Sequence, residues 1–249
     1  MEKNSVKLRV VSSSSNGNAF ALDNGDSILL IEAGVPVKDI QKAIDFRADK
    51  VVGCIVTHIH GDHAKYASEY AKYGIKIYGC GEVEKTNKFL FDQFEMILPE
   101  KTKEIMDFTI VPFLNFHDVT IYGYIIRHEN MGTMLFSTDT YKVGIYLSGI
   151  DHWLIEANYD DRILKANIHD GVIDRCQANR LMLSHMSINN TINYLKECHA
   201  EQSKTITLCH LSERNSDPDA FQKKVASEFG VPCFIAEPGA VVELSKEII

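Results

Sequence analysis

The chain has 249 residues, 45% of them hydrophobic and 24% charged, with 26 lysines and arginines against 34 aspartates and glutamates and a net charge of −8. That balance excludes a disordered chain and a surface basic enough to hold polyanions over its whole area. A chain this long buries roughly 70–75% of its unfolded surface and needs no covalent staples.

The opening MEKNSVKLRVV carries charges at Glu2, Lys3, Lys7 and Arg9 and does not read as a signal peptide. No apolar run approaches the ~20 residues of a membrane helix. The six cysteines form no CxxC pair and read as reduced, mostly buried thiols, which points to a cytoplasmic protein.

Strands are expected at Val6–Val11 and Asn18–Asp23, with the serine run Ser12–Asn18 as the turn between them. Asn24-Gly25 makes a hairpin into Ser27–Glu32, and apolar spacing predicts a helix over 37–46. The β-branched run Val51–Val56 suits a strand buried on both faces. It ends in Thr57-His58-Ile59-His60-Gly61-Asp62-His63, followed by a helix to about Tyr73 and a short strand at Ile75–Tyr78. Residues 82–105 show weak helical signal. Strands follow at Thr109–Leu114, Thr120–Arg127, Thr133–Ser137 and Trp153–Glu156. The last third alternates: helices near 172–183 and 188–198, a strand at Thr205–Cys209, a helix opening at Asp217-Pro218, and a strand at Val241–Leu244. No linker divides the sequence, so 1–249 reads as one α/β domain of two packed sheets with helices outside.

Polar residues recur just after strands, where a rigid scaffold can hold them. In His58-Ile59-His60-Gly61-Asp62-His63, residues two apart share a side of an extended segment, so His58 and His60 can face one ion. Asp62 and His63 can face another. Imidazole and carboxylate suit zinc, manganese or iron. A lone histidine would be read as a surface residue, but three of them with an aspartate after a buried strand point to a metal.

This segment resembles the signature of the metallo-β-lactamase superfamily. The resemblance implies an αβ/βα four-layer sandwich with a dinuclear metal site along one edge. It also extends the ligand set to His117 in NFHD, Asp139 in LFSTDT and His210 in TLCHLS. His58, His60 and His117 would hold one divalent ion, and Asp62, His63 and His210 the other, with Asp139 bridging. Two carboxylates against two divalent ions leave the site net positive by about two, which draws an anionic substrate to an acidic protein. Metal ions also permit a bridging hydroxide near neutral pH.

SSSSNGN, Glu156-Ala157-Asn158-Tyr159-Asp160, Ser184-His185-Met186-Ser187 and His210-Leu211-Ser212 resemble segments of the YycJ-type exonuclease branch, near RNase Z and the metal-dependent phosphodiesterases. This resemblance implies a DNA exonuclease, with nucleic acid or another phosphodiester as its partner. The alternatives are a small-molecule phosphodiesterase, a thioester or lactam hydrolase, and a metal-bound binding module without turnover. Asp62, His185 and Glu156 are the expected catalytic residues, His185 assisting the leaving group. Ser15, Asn16, Asn18 and Asn158 are the expected substrate contacts. Tyr159 stands where the branch has a histidine. Trp153, Phe89, Phe91 and Phe94 are more simply packed than stacked on bases. His128, His152, His169 and His199 match no motif and read as surface or edge residues.

Overall fold

Val6–Ser14 (β1) and Gly17–Asp23 (β2) form an antiparallel hairpin, and β2 pairs in turn with Ile28–Ile31 (β3). From β3 the first sheet continues in parallel through Val51–Ile55 (β4), Ile77–Gly79 (β5) and Phe94–Met96 (β6). Val241–Leu244 (β14) closes its other edge against β1. The computed structural model describes residues 5–90 and 92–246.

The second sheet repeats this plan. Lys103–Ile105 (β7), Phe108–Leu114 (β8), Tyr122–His128 (β9) and Gly132–Ser137 (β10) are antiparallel. His152–Glu156 (β11), Thr205–Cys209 (β12) and Cys233–Ile235 (β13) extend it in parallel. Strands β8, β10, β11 and β12 therefore run the same way, and their C-terminal ends meet at one edge.

Alternation along the strands sets the layers. Met134, Phe136 and Leu154 join Phe20 and Leu30 in the core that both sheets share. Their neighbours Leu135, Trp153 and Ile155 face outward. That outer face is covered by Ile188–Glu197 (α7) through Ile192 and Leu195, and by Pro218–Phe229 (α8) through Phe221 and Val225. Val37–Ala43 (α1) and Ala67–Lys72 (α3) bury Val37, Ile40 and Tyr70 against the first sheet. The order is helices, sheet, sheet, helices. Each fully buried Leu, Ile or Phe side chain contributes about 1.5–3 kcal/mol relative to exposure. Among the described residues no helix is long and apolar enough to cross a membrane.

Helix ends follow local chemistry. Ser187 accepts from the Asn190 amide and Asp217 from the Ala220 amide, while Gly230 closes α8 in the left-handed region. Several expectations need correction. The serine run is mostly strand: a bulge between Val10 and Ser12 lets β1 continue to Ser14, leaving the turn to Ser15 and Asn16. The helix after His63 breaks into Gly61–Ala64 (α2) and α3. Residues 82–105 hold one short helix, Gly81–Thr86 (α4), and two edge strands. Asp161–His169 (α5), capped by Asp160, was not expected, and Arg175–Ser184 (α6) starts later than its apolar spacing suggested.

Trp153 is buried, with its indole N–H on Ser203 Oγ at 2.7 Å, and is closed to a base, while Phe89 stacks on Phe94, both half-buried against the core of the first sheet. Phe91 lies outside the described residues. His152 and His128 are buried rather than superficial. Polar partners satisfy both: Thr205 Oγ1 and Met131 O for His152, Asn24 and Asp107 for His128. His169 and His199 are exposed as expected. Five of the six cysteines are buried, and none is disulfide-bonded.

Candidate active site

The segment from Thr57 to His63 rests on a carboxylate that sequence reading passed over. Glu32 follows the apolar strand β3 and is fully buried. Thr57 donates to it twice, from Oγ1 at 2.6 Å and from its amide at 3.2 Å. Thr57 Oγ1 also lies 2.9 Å from His58 Nδ1. Glu32 Oε1 is 3.2 Å from His63 Nδ1, though off hydrogen-bond alignment. Through Thr57 this carboxylate orients the His58 ring, and it sets its charge against the His63 ring. The signal in the sequence was an acidic residue ending the run ILLI.

Gly34 makes this junction possible. Its amide donates to Asn18 O at 3.0 Å, and a Cβ there would sit 1.8 Å from the carbonyl oxygen of Asp62. Only glycine lets the β2 and His60–His63 backbones approach this closely.

The edge formed by the C-terminal strand ends gathers the remaining residues. Asp139 follows β10 and His210 follows β12, both with left-handed backbone (φ 48° and 54°), as is Glu32 (φ 67°). Such conformations cost of order 1–3 kcal/mol and persist where surrounding contacts hold them. Here the His210 amide donates to Ser13 Oγ at 2.8 Å, and its carbonyl accepts from Asn158 Nδ2 at 2.7 Å.

Asp139 is the hub. Its Oδ2 lies 2.9 Å from His63 Nε2 and 3.6 Å from His58 Nε2, and its Oδ1 lies 3.2 Å from His210 Nε2. Two sets of ligand atoms share it, each within 4.8 Å: His58, His60, His117 and Asp139, and then Asp62, His63, Asp139 and His210. A third set joins Asp139, His210, His185 and Glu156.

The donor chemistry fits divalent cations. His58 Nε2 is buried with no hydrogen-bond partner, and His60 Nδ1 faces His117 Nε2 at 3.2 Å. Burial, with His63 nearby, holds His58 well below its ordinary range, and burial lowers His117. Burial works against charge on His63, yet the Asp139 and Glu32 carboxylates hold it well above that range. Burial also opposes charge on Asp139, but His210 and His63 keep its carboxyl well below the usual carboxylate values. His58 and His117 are thus ready to ligate, and His63 would give up its proton to a cation beside Asp139, so the cluster is able to hold a metal ion.

His185 follows α6, and its Nδ1 lies 2.7 Å from Glu156 Oε1. Burial opposes its charge, but Glu156 lifts the ring to about 9. Glu156, fully buried, also accepts from the amides of Thr140 (3.3 Å) and Met186 (3.2 Å), which anchor the loop after Asp139 and the start of the loop before α7.

Of the expected substrate contacts, Ser15 lines the groove over the site and Asn16 is exposed on its turn. Asn18 is buried, its Nδ2 within 3.1 Å of His63 Nε2 and 3.4 Å of Asp62 Oδ2, and its Oδ1 3.3 Å from His210 Nδ1, so it orients those three side chains. Asn158 is buried behind His210. Tyr159 is buried too, packing with Leu164 and Ala178 to seat α5 and α6. Asp118, next to His117, also lines the groove, as do Gln177 and Arg180, which were missed because α6 returns to the site only in the folded chain.

The profile of the Metallo-beta-lactamase superfamily matches residues 14–164. The chain belongs to that superfamily, and with it to the metal-dependent hydrolases. It is similar to Exodeoxyribonuclease WalJ of Streptococcus pneumoniae, 26% identical over 239 residues that cover 87% of this chain and 85% of that protein. It is also similar to Exodeoxyribonuclease YycJ of Bacillus anthracis, 24% identical over 232 residues, 85% of this chain and 84% of that one. Among solved structures, the metallo-beta-lactamase fold protein YhfI from Bacillus subtilis superposes with a TM-score of 0.75 at 20% identity, covering 96% of this chain and 99% of that chain.

Proposed function

We propose that this chain is a metal-dependent phosphodiesterase of the exonuclease kind, acting on DNA in the cytoplasm. The observation that carries this reading is the His185–Glu156 pair set beside the two ligand groups that share Asp139. The exodeoxyribonuclease relatives support it, and six unpaired cysteines support a reducing compartment.

His58, His60, His117 and Asp139 would hold one ion, and Asp62, His63, His210 and Asp139 the second, zinc or manganese suiting both. Bound there, such ions would supply Lewis acidity toward phosphate oxygens and water near neutral pH.

The chain's own side chains do the rest. Asp62 sits at the groove, where it orients attacking water as well as serving as ligand. His185 spends Nδ1 on Glu156 and keeps Nε2 for the groove. Held protonated by Glu156, it carries the proton that the departing alkoxide needs. Glu156 is a positioning residue: it fixes the ring and anchors the loops on both sides.

The test is a substrate panel with manganese- or zinc-loaded protein: 5′-labelled DNA, bis-p-nitrophenyl phosphate and S-lactoylglutathione. Degradation of DNA to short products is expected. Turnover of the thioester alone would overturn the phosphodiesterase reading.

A further inference from the structure

The groove over the site has two lobes. One, of about 330 Å³, contains His60, His117 and Arg180. The other, of about 270 Å³, contains Asn158, Ser212 and Arg214. Both include Ser15, Leu181, His185 and His210, so the path runs without interruption across the candidate proton donor.

Arg9, Arg47 and Arg162 pair with aspartates, and of the four arginines with no ion pair among the described residues, Arg127, Arg175, Arg180 and Arg214, the last two stand one in each lobe. Glu213 and Asp118 line the same lobes, and neither is bridged to Arg214 or Arg180. An unpaired guanidinium in the groove of a chain of net charge −8 is poised for an anion, and its planar fork suits phosphate. Arg180 shares a face of α6 with Gln177 and Ser184, all three in the groove wall.

The second lobe has a further feature. Asn158 spends its Nδ2 on the His210 carbonyl, leaving Oδ1 buried and without a partner at the lobe wall. A buried acceptor of this kind is completed by a donor, and on a DNA strand that donor is a base amine or the terminal hydroxyl, since deoxyribose within the strand has none free.

We infer that the groove is a strand-binding path with two phosphate subsites, Arg180 holding the phosphate at the reaction centre and Arg214 the next phosphate along the chain. This rests on the phosphodiesterase reading and narrows it: a diester with one phosphate fills one lobe, and a polynucleotide fills both. Arg214 is then a specificity-determining residue that favours strands over small diesters.

The experiment uses metal-loaded wild type, R214Q, R180Q and R127Q. Arg127 lies on β9 near its C-terminal end, which the antiparallel pairing with β10 places away from Asp139. Binding of a fluorescein-labelled single-stranded oligonucleotide is followed by anisotropy across a salt series. Turnover of the oligonucleotide and of bis-p-nitrophenyl phosphate is measured alongside. R214Q is expected to weaken oligonucleotide binding about tenfold and to reduce the salt slope by about one. The ratio of kcat/KM between oligonucleotide and small diester should also fall about tenfold in R214Q, while R127Q matches wild type.

The inference is overturned if R214Q keeps the wild-type affinity and slope, or if it loses equally on both substrates. A wild type that hydrolyses the small diester but neither binds nor cleaves the strand overturns the inference and leaves the phosphodiesterase reading intact. Failure on both diesters overturns that reading instead, and the anisotropy series alone then decides for or against the strand path.

Discussion

Glu156 and His185 lie 29 residues apart in sequence and 2.7 Å apart in space, the carboxylate at the end of β11 and the imidazole just past α6. Neither closes the contact unaided. The Thr140 and Met186 amides hold the carboxylate, and the α5–α6 cluster around Tyr159 brings the imidazole to it. The pair is built from the fold inward, and its removal is expected to separate rate from metal binding.

His185→Ala is expected to lower turnover of a phosphodiester by about 10²–10⁴-fold while leaving metal content unchanged. Glu156→Gln should lose less, because it keeps the shape and sacrifices the charge that holds the ring protonated. Added imidazole should restore part of the H185A activity. Loss of bound metal in H185A, measured by elemental analysis, would mean that His185 acts as a ligand.

Glu32→Gln tests the support beneath the histidines. Its carboxylate takes two hydrogen bonds from Thr57 and lies against the His63 ring. Outer partners of this kind are worth about 10–100-fold in metal affinity. A chelator-competition titration should show a loss of that size with little change in secondary structure by circular dichroism. Unchanged affinity would show that Thr57 and the backbone alone position the ligands.

Gly34→Ala places a Cβ 1.8 Å from the Asp62 carbonyl oxygen, so one of two backbone segments must move. A cost of about 3 kcal/mol is expected from overpacking, with weaker metal binding as the His60–His63 turn shifts. Thermal melts with and without zinc check both effects.

His152 gives the fold an acid limit independent of the metal site. Burial holds the ring neutral and lowers its pKa from 6.5 to about 4. The unfolded chain therefore takes up the proton more readily than the folded one. The resulting stabilisation is complete above pH 6.5 and is lost as the pH falls toward about 4. It amounts to about 3 kcal/mol. Urea titrations over this range should show the decline, and His152→Gln should flatten that part of the slope.

How much of this was legible beforehand depended on sequence distance. His58, His60, Asp62 and His63 were visible because they fall within one turn after a buried strand. His117, Asp139 and His210 stood out only as polar residues after strands, and it took the family resemblance to group them. Glu32 escaped because its partner Thr57 is 25 residues away and an acidic strand end has many ordinary explanations. Asn18 was read as a substrate contact, since a serine–asparagine turn looks open from sequence; the bulge in β1 instead brings it under the ligands. Arg180 and Arg214 could not be distinguished from other surface arginines, because the groove between them exists only once α6 packs across the sheet edge.

Metal stoichiometry bears on all of this at once. Protein purified without chelator and loaded with manganese or zinc should hold about two ions per chain by elemental analysis. His117→Ala should hold about one, and Asp139→Asn should retain neither firmly, because Asp139 belongs to both ligand sets. A wild type that binds no stoichiometric metal, or an H117A and D139N pair indistinguishable from it, would contradict the shared centre around Asp139.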